Sequence, residues 1–194
     1  MEIEEMKALM AASLPEKRYK HCVAVYETAL EIAQAHGLET TKIGVAALLH
    51  DCGREIASRD NLAKAKELKI NIDKIERNQP ILLHAKLGVY FAKTKYGVKD
   101  KATLEGIRYH TTGAEHMSKL AMVVYLADLL EPTRDFPGIE DMRSLAKVDL
   151  EKCIFKAYAQ TIRYLLDYDL LVHPDCLAGY NRLAMKYKRA KLNR

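Results

Sequence analysis

Four histidines and two aspartates in this chain have the residue types and spacing of a metal-binding site. Each lies on or beside a segment whose apolar spacing predicts the buried face of a helix. Imidazole and carboxylate groups are rarely buried unless they are paired with another polar group or bind a metal. The six residues are His21, His50, Asp51, His84, His110 and Asp128. Together they predict a site for more than one metal ion, and therefore a hydrolase.

The donor atoms narrow the chemistry of this site. Neutral imidazole and carboxylate suit iron, manganese, zinc or cobalt. Six donors, with one carboxylate free to bridge, suit two ions about 3.5–4 Å apart, which can polarise a phosphoryl oxygen and activate water. Asp51 follows His50 at a helix end and is the natural bridging group. Alone, a buried histidine is more often a hydrogen-bonded core residue, and Asp128 could pair with an arginine; the joint pattern favours metal.

The elements that position these residues are predicted to be helices. Helical spacing dominates the chain, and alternating strand patterns are absent. Ser13 to Glu16 reads as a capping box for a helix that ends at Gly37, and a second helix runs from Thr40 or Thr41 to Gly53. Five more helices are predicted by caps, prolines and glycines: 80–97, 100–110, 118–132, 149–168 and 175–191.

The chain is predicted to be one all-α domain, a helical bundle spanning 1–194. Residues 55–78 are polar and contain two short helical patterns, so they are interpreted as an exposed insertion, with a lid as one reading. Residues 149–191 form the C-terminal helices. No composition shift or linker suggests a second domain.

Composition excludes several classes of protein. The apolar stretch Leu120–Leu130 is interrupted by Asp128 and is too short to span a bilayer, and the N-terminus is acidic rather than signal-like. The net charge of +5 is modest and scattered, which argues against nucleic-acid binding but suits an anionic substrate. Four cysteines without CxxC spacing predict buried free thiols in a reducing compartment, so we expect a cytoplasmic protein.

Five local strings, in order, resemble one known family. They are RYKHC at 18–22, LLHDCGRE at 48–55, LLHAKLG at 82–88, IRYHTTG at 107–113 and YLADLLEPTRDFPGIED at 125–141. The histidine–aspartate pattern resembles the HD-domain phosphohydrolase superfamily, which has a helical fold. The full set of strings is similar to the YqeK family of bacterial symmetrical bis(5′-nucleosyl)-tetraphosphatases.

The resemblance implies an activity and a ligand assignment. It implies cleavage of diadenosine tetraphosphate into two ADP, by attack of a metal-bridging hydroxide on an inner phosphorus. It also implies two transition-metal ions, with iron first and manganese or cobalt as alternatives. One ion would be held mainly by His21, His50, Asp51 and Asp128; the other would be held by His84, His110 and the bridging Asp51.

Several residues near these ligands are candidates for catalysis or for contacts with a phosphate chain. Asp51 and Arg54 are the catalytic candidates. Arginine can bind two phosphate oxygens at once, whereas the residues after His110 offer hydroxyl or backbone N–H groups. Each candidate can equally be an ordinary ion-pair or turn residue. The substrate-contact candidates are Arg18, Arg54, Thr111, Thr112, Gly113, His116 and Arg134.

Two other functions stay open from the sequence. Another HD-domain enzyme would act on a deoxynucleoside triphosphate, a 5′-nucleotide or guanosine tetraphosphate. A nucleotide-binding module without turnover is the second, although the complete ligand set argues against it. A homodimer through an apolar helix face is also open, and nucleobase preference is not visible in the sequence.

Overall fold

The computed structural model describes residues 1–192, and the side chains of residues 1–189. Within this range the chain is helical and has no β-strand, which confirms the predicted all-α class. Residues 193–194 of the predicted domain lie outside the described part. The helices are α1 (Ile3–Ser13), α2 (Glu16–Ala35), α3 (Thr40–Leu49), α4 (Asn61–Glu67), α5 (Lys74–Asn78), α6 (Leu83–Thr94), α7 (Lys101–Tyr109), α8 (Lys119–Leu130), α9 (Ile139–Ala146), α10 (Leu150–Asp167) and α11 (Pro174–Leu192).

The predicted start of α2 is wrong in its detail. Ser13 is the last residue of α1, where its hydroxyl donates to the carbonyl of Leu9 at 2.7 Å, so it does not cap the next helix. Pro15 stands at the start of α2 without a side-chain cap. The predicted end is confirmed, because Gly37 adopts a left-handed φ of 60° after the last turn.

Two helices were missed from the sequence. Helix α1 buries Met6 and Met10 against the rest of the molecule, and α9 follows the loop 131–138. Both are short amphipathic segments, and α9 begins after a left-handed Gly138. The other helices begin and end within a few residues of their predicted limits.

Helix α8 is the centre of the core. Its residues 121–127 are all buried, and α2, α3, α7 and α10 pack around it. A helix that is apolar on every side is stable only when surrounded in this way. Asp128 follows this buried stretch in the last turn of α8, so its position is fixed by the best-packed element of the fold.

The turn after α3 lies directly on α6. A side-chain carbon at Gly53 would collide with the carbonyl oxygen of His84 and would lie 2.6 Å from the amide nitrogen of Gly88. The thiol of Cys52 donates to the carbonyl of Gly88 at 3.4 Å. The absence of a side chain at Gly53 therefore lets the residues after His50 approach the backbone of α6.

Residues 55–78 form a segment beside α6 that contains α4 and α5, and all but three of its residues are exposed or partly exposed. A small separate apolar cluster, with Ala65, Leu83 and Leu87 buried, holds it in place. His173 Nε2 lies 3.0 Å from Asp73 Oδ2 and joins this segment to the loop before α11. Its interpretation as an insertion or lid stays a prediction. Across residues 1–192, no helix is both long and apolar enough to cross a membrane.

Candidate metal centre

Five helices bring the six predicted ligands to one place. Helix α2 carries His21 in its second turn, and α8 carries Asp128 in its last. His50 and His110 lie at the ends of α3 and α7. Asp51 directly follows His50, and His84 lies in the first turn of α6. All six lie within the region where α2, α3, α6, α7 and α8 meet, and they are His21, His50, Asp51, His84, His110 and Asp128.

Asp51 lies between two pairs of imidazoles. Its Oδ2 is 3.6 Å from His50 Nε2 and 4.0 Å from His21 Nε2. Its Oδ1 is 3.3 Å from His84 Nε2 and 3.6 Å from His110 Nε2. Each carboxylate oxygen therefore faces a different imidazole pair.

Asp128 extends one side of this cluster. Its Oδ1 is 3.1 Å from His21 Nε2 and 4.0 Å from His50 Nε2. Three overlapping groups have ligand atoms within 4.8 Å of one another, and each contains at least one histidine and one aspartate. The groups are His21 with His50 and Asp51, His50 with His110 and Asp128, and Asp51 with His84 and His110.

Three of the histidines have the same orientation. The Nδ1 of His50, His84 and His110 lies within hydrogen-bonding distance of the backbone carbonyl three residues earlier. A carbonyl only accepts, so each Nδ1 carries the proton and each Nε2 presents its lone pair to the centre. The accepting carbonyls belong to Ala47, Ile81 and Ile107. This is the arrangement that metal-binding histidines commonly have.

Glu131 is a residue of the site that the sequence analysis did not single out. Its Oε1 lies 3.2 Å from His21 Nδ1, and its side chain is only 1% exposed. The backbone N–H of Thr133 donates to Glu131 Oε2 at 2.7 Å and fixes the carboxylate. The sequence contains one indication of this role: Glu131 directly follows the very apolar α8, where a buried charge needs a partner.

The protonation states favour metal binding. Burial lowers the pKa of His50 to about 4 and that of His84 to about 3, so both rings are neutral near pH 7. Burial by itself would raise the pKa of Asp51, but the neighbouring imidazoles of His50 and His110 and the guanidinium of Arg54 outweigh it and hold that pKa well below its usual value. Neutral imidazoles and ionised carboxylates are the forms that bind cations.

Three arginines surround the two carboxylates. Arg18 Nη1 donates to Asp51 Oδ2, and Arg54 Nε donates to Asp51 Oδ1, each at 2.8 Å. Arg134 donates to Asp128 through Nη2 to Oδ1 at 2.8 Å and through Nε to the backbone carbonyl at 3.0 Å. All three are partly exposed, so positive charge reaches the surface beside the cluster.

A cavity of about 560 Å³ opens beside the cluster. Arg54 and Arg134 line it, as do Thr111 and Thr112. The Thr111 hydroxyl is 3.1 Å from His84 Nε2 and 3.0 Å from His110 Nε2, whereas that of Thr112 donates to the carbonyl of the next residue. Thr111 thus lies against the candidate metal ligands, and Thr112 contributes to the wall of the cavity.

Three predicted substrate contacts do not line this cavity: Arg18, which is bonded to Asp51, Gly113 and His116. Gly113 has a left-handed φ of 64°, and a side-chain carbon there would collide with Tyr158, whose hydroxyl is bonded to the backbone of Ala114. The side chain of His116 is 79% exposed and does not line the cavity. The structure gives Gly113 a packing role and places His116 on the surface.

Comparison with known proteins agrees with this geometry. The HD domain family matches residues 18–133. Proteins named symmetrical bis(5′-nucleosyl)-tetraphosphatase are similar over most of the chain. The one from Halalkalibacterium halodurans is 36% identical, over 93% of this chain and 96% of that protein. The one from Bacillus subtilis is 35% identical, over 94% of this chain and 98% of that protein.

A solved structure has the same fold. It is described as a predicted HD superfamily hydrolase involved in NAD metabolism from Clostridium acetobutylicum. The two structures superpose with a TM-score of 0.90 at 29% identity, covering 96% of this chain and 98% of the other. The chain belongs to the HD domain family and, within it, to the same group as the proteins named symmetrical bis(5′-nucleosyl)-tetraphosphatase.

Proposed function

We propose that this protein is a metal-dependent hydrolase that cleaves diadenosine tetraphosphate symmetrically to two ADP. The observation that carries the proposal is Asp51, whose two oxygens face two separate imidazole pairs. Two ions bridged by one carboxylate are a recurrent device for hydrolysing phosphate esters and anhydrides. The names of relatives that match along most of the chain support a dinucleoside tetraphosphate as the substrate and a symmetrical cut.

The residues fit two ions that share Asp51. His21, His50 and Asp128 would complete one ligand set, and His84 with His110 the other. Nitrogen and oxygen donors of this kind suit iron, with manganese or cobalt as alternatives. When bound, the ions would polarise phosphoryl oxygens and neutralise the charge that develops during cleavage.

Arg54 and Arg134 would hold the phosphate chain. Both line the cavity, and each uses only part of its guanidinium on a carboxylate. Arg54 donates to Asp51 through Nε, which leaves both terminal nitrogens for a ligand. Arg134 donates to Asp128 through Nε and Nη2, which leaves Nη1. The remaining N–H groups can each donate to a phosphate oxygen. In this role the arginines orient the phosphates and stabilise their negative charge.

Arg18 and Thr111 would have supporting roles. Arg18 donates to Asp51 Oδ2 whereas Arg54 donates to Oδ1, so Arg18 helps to position the carboxylate between the imidazole pairs. The Thr111 hydroxyl, beside His84 and His110, can donate to a phosphate oxygen that lies close to the ligands.

Product analysis tests this function directly. The purified protein, loaded in turn with iron, manganese or cobalt, is incubated with diadenosine tetraphosphate, and the products are separated by anion exchange. We expect ADP as the sole product. ATP together with AMP would contradict the symmetrical cut, and no turnover with any of the three metals would contradict the proposed substrate.

We also propose that the protein is located in the cytoplasm. All four cysteines are free and buried, which suits a reducing compartment. Cell fractionation with an antibody against the protein tests this, and the protein in a secreted fraction would contradict it.

A further inference from the structure

The cavity beside the metal centre has two chemically different sides. One side includes polar groups, namely metal ligands, arginines and Thr111. The other side comes from α10, the loop after it and the turn before α6. It carries a group of large apolar side chains that we call the apolar rim: Ile81, Tyr164, Leu170 and Leu171.

The apolar rim is unusually exposed for its composition. Tyr164 is 53% exposed, and Ile81, Leu170 and Leu171 are 40–42% exposed. Single exposed apolar residues are common on protein surfaces, but a group at one cavity mouth marks a binding surface. Because the apolar rim and the metal ligands line one continuous cavity, a single ligand can contact both.

Helix α10 adds a hydrogen-bonding group next to the aromatic ring. Gln160 and Tyr164 are four residues apart, so they are neighbours on one face of the helix, and both line the cavity. Thr161, on the same face, is engaged with the Tyr125 hydroxyl at 3.2 Å. The amide of Gln160 therefore offers donor and acceptor atoms to the edge of a flat ligand that stacks on the ring of Tyr164.

We propose that the apolar rim and Gln160 bind one nucleobase of the substrate. This rests on the proposed function, which puts a phosphate chain on the metal side of the cavity. A nucleotide is polyanionic at one end and flat and apolar, with a hydrogen-bonding edge, at the other. Aromatic side chains stack on bases, and the amides of Gln or Asn bond to adenine edges. Tyr164 supplies the stacking surface, Leu170 and Leu171 the apolar surroundings, and Gln160 the contact to the base edge.

The test separates base binding from phosphate binding. The manganese-loaded protein is titrated calorimetrically with ADP and with pyrophosphate, which lacks the nucleoside. Tyr164→Ala is expected to weaken ADP binding about tenfold. Gln160→Leu is expected to weaken it several-fold, and both variants should bind pyrophosphate like the parent protein.

Leu166→Ala is the matched control. Leu166 lies on the same helix and is also exposed, but it does not line the cavity, so its replacement should change neither titration. Unchanged ADP binding in Tyr164→Ala would overturn the proposal. An equal loss for ADP and pyrophosphate would also overturn it, because the effect would then not involve the base.

The outcomes distinguish this proposal from the proposed function. In one outcome, the parent protein yields ADP from diadenosine tetraphosphate while the Tyr164→Ala variant binds ADP normally. This result would support the proposed function and contradict the base site. Alternatively, Tyr164→Ala weakens ADP binding but the parent protein does not cleave the tetraphosphate. This result would support the base site and contradict the proposed function.

Discussion

At the scale of single residues, the candidate metal centre depends on side chains that hold one another in one orientation. Asp51 accepts from Arg18 and Arg54 while it faces four imidazoles. His21 is held differently from the other three candidate histidine ligands, because its Nδ1 faces the carboxylate of Glu131 rather than the carbonyl three residues earlier. A carboxylate partner fixes the ring and increases its basicity as a ligand.

Replacing Asp51 with alanine should remove both metal binding and activity. Asp51 is the group common to both proposed ligand sets, so we expect activity to fall at least about 100-fold, the upper end of the loss for residues that only support a ligand. Metal content is measured by elemental analysis, and far-UV circular dichroism serves as the folding control. Full activity in this variant would contradict the proposed mechanism.

Replacing Glu131 with glutamine should weaken the metal centre without removing it. Glutamine keeps the size of the side chain but loses the charge that faces His21, and we expect about a 10–100-fold loss of metal affinity. Competition with a chelator measures that affinity. The matched control is Glu31→Gln, on the same helix as His21 but exposed and paired with Lys147. Equal affinities in the two variants would show that Glu131 does not support His21.

At the scale of elements, the sequence predicted where most helices begin and end, but it did not predict which helices contact one another. Capping residues marked the starts of α7, α8 and α10, and Gly37 marked the end of α2, because these residues satisfy free backbone groups locally or suit the turn that follows a helix. Helices α1 and α9 lack equally strong start signals: α1 is capped by Glu2, and α9 begins after glycine without a side-chain cap. Their stability comes from packing, which local sequence does not report.

The contact between the turn after α3 and α6 should not tolerate a side chain at Gly53. Alanine there would collide with backbone atoms of α6, so we expect a loss of about 3 kcal/mol in the free energy of unfolding and weaker metal binding, since His84 moves with α6. Urea denaturation and metal titration measure the two effects.

Gly97→Ala is the control for backbone strain alone. Gly97 has a left-handed φ of 71° and open space around it, so we expect a loss of about 1 kcal/mol and unchanged metal affinity. Gly53→Ala behaving like this control would contradict the tight contact with α6.

At the scale of the whole molecule, the ligands join α2, α3, α6, α7 and α8 at one point. These helices include the central helix of the core, α8, and three of the helices packed around it, α2, α3 and α7. A cation held there connects residues more than a hundred positions apart in the chain, so metal binding and global stability should be coupled. The oligomeric state stays a prediction.

Metal removal should lower the thermal stability of the whole protein. Binding at 100 times the dissociation constant contributes about 2.7 kcal/mol, which corresponds to about 5–10 °C in Tm for a chain of this size. Thermal circular dichroism with saturating manganese, and again after chelation and dialysis, measures the difference. Asp51→Ala should show no such difference, and an unchanged Tm in the parent protein would contradict the coupling.

The sequence by itself determined the helical class, the ends of most helices and the six ligand candidates. These follow from local physics: apolar spacing sets the buried face of each helix, and polar groups on that face require a partner. His50 and Asp51 were therefore identifiable as candidate metal ligands before any contact was known. The shared strings also predicted the HD family, which the comparisons confirm.

The tertiary structure decided which groups meet. That Asp51 divides its oxygens between two imidazole pairs depends on how α3, α6 and α7 pack, as does the association of Glu131 with His21. It also placed His116 on the surface and gave Gly113 to the packing of Tyr158. Such contacts join residues far apart in the chain, and their geometry comes from side-chain packing in the core, which local spacing does not encode.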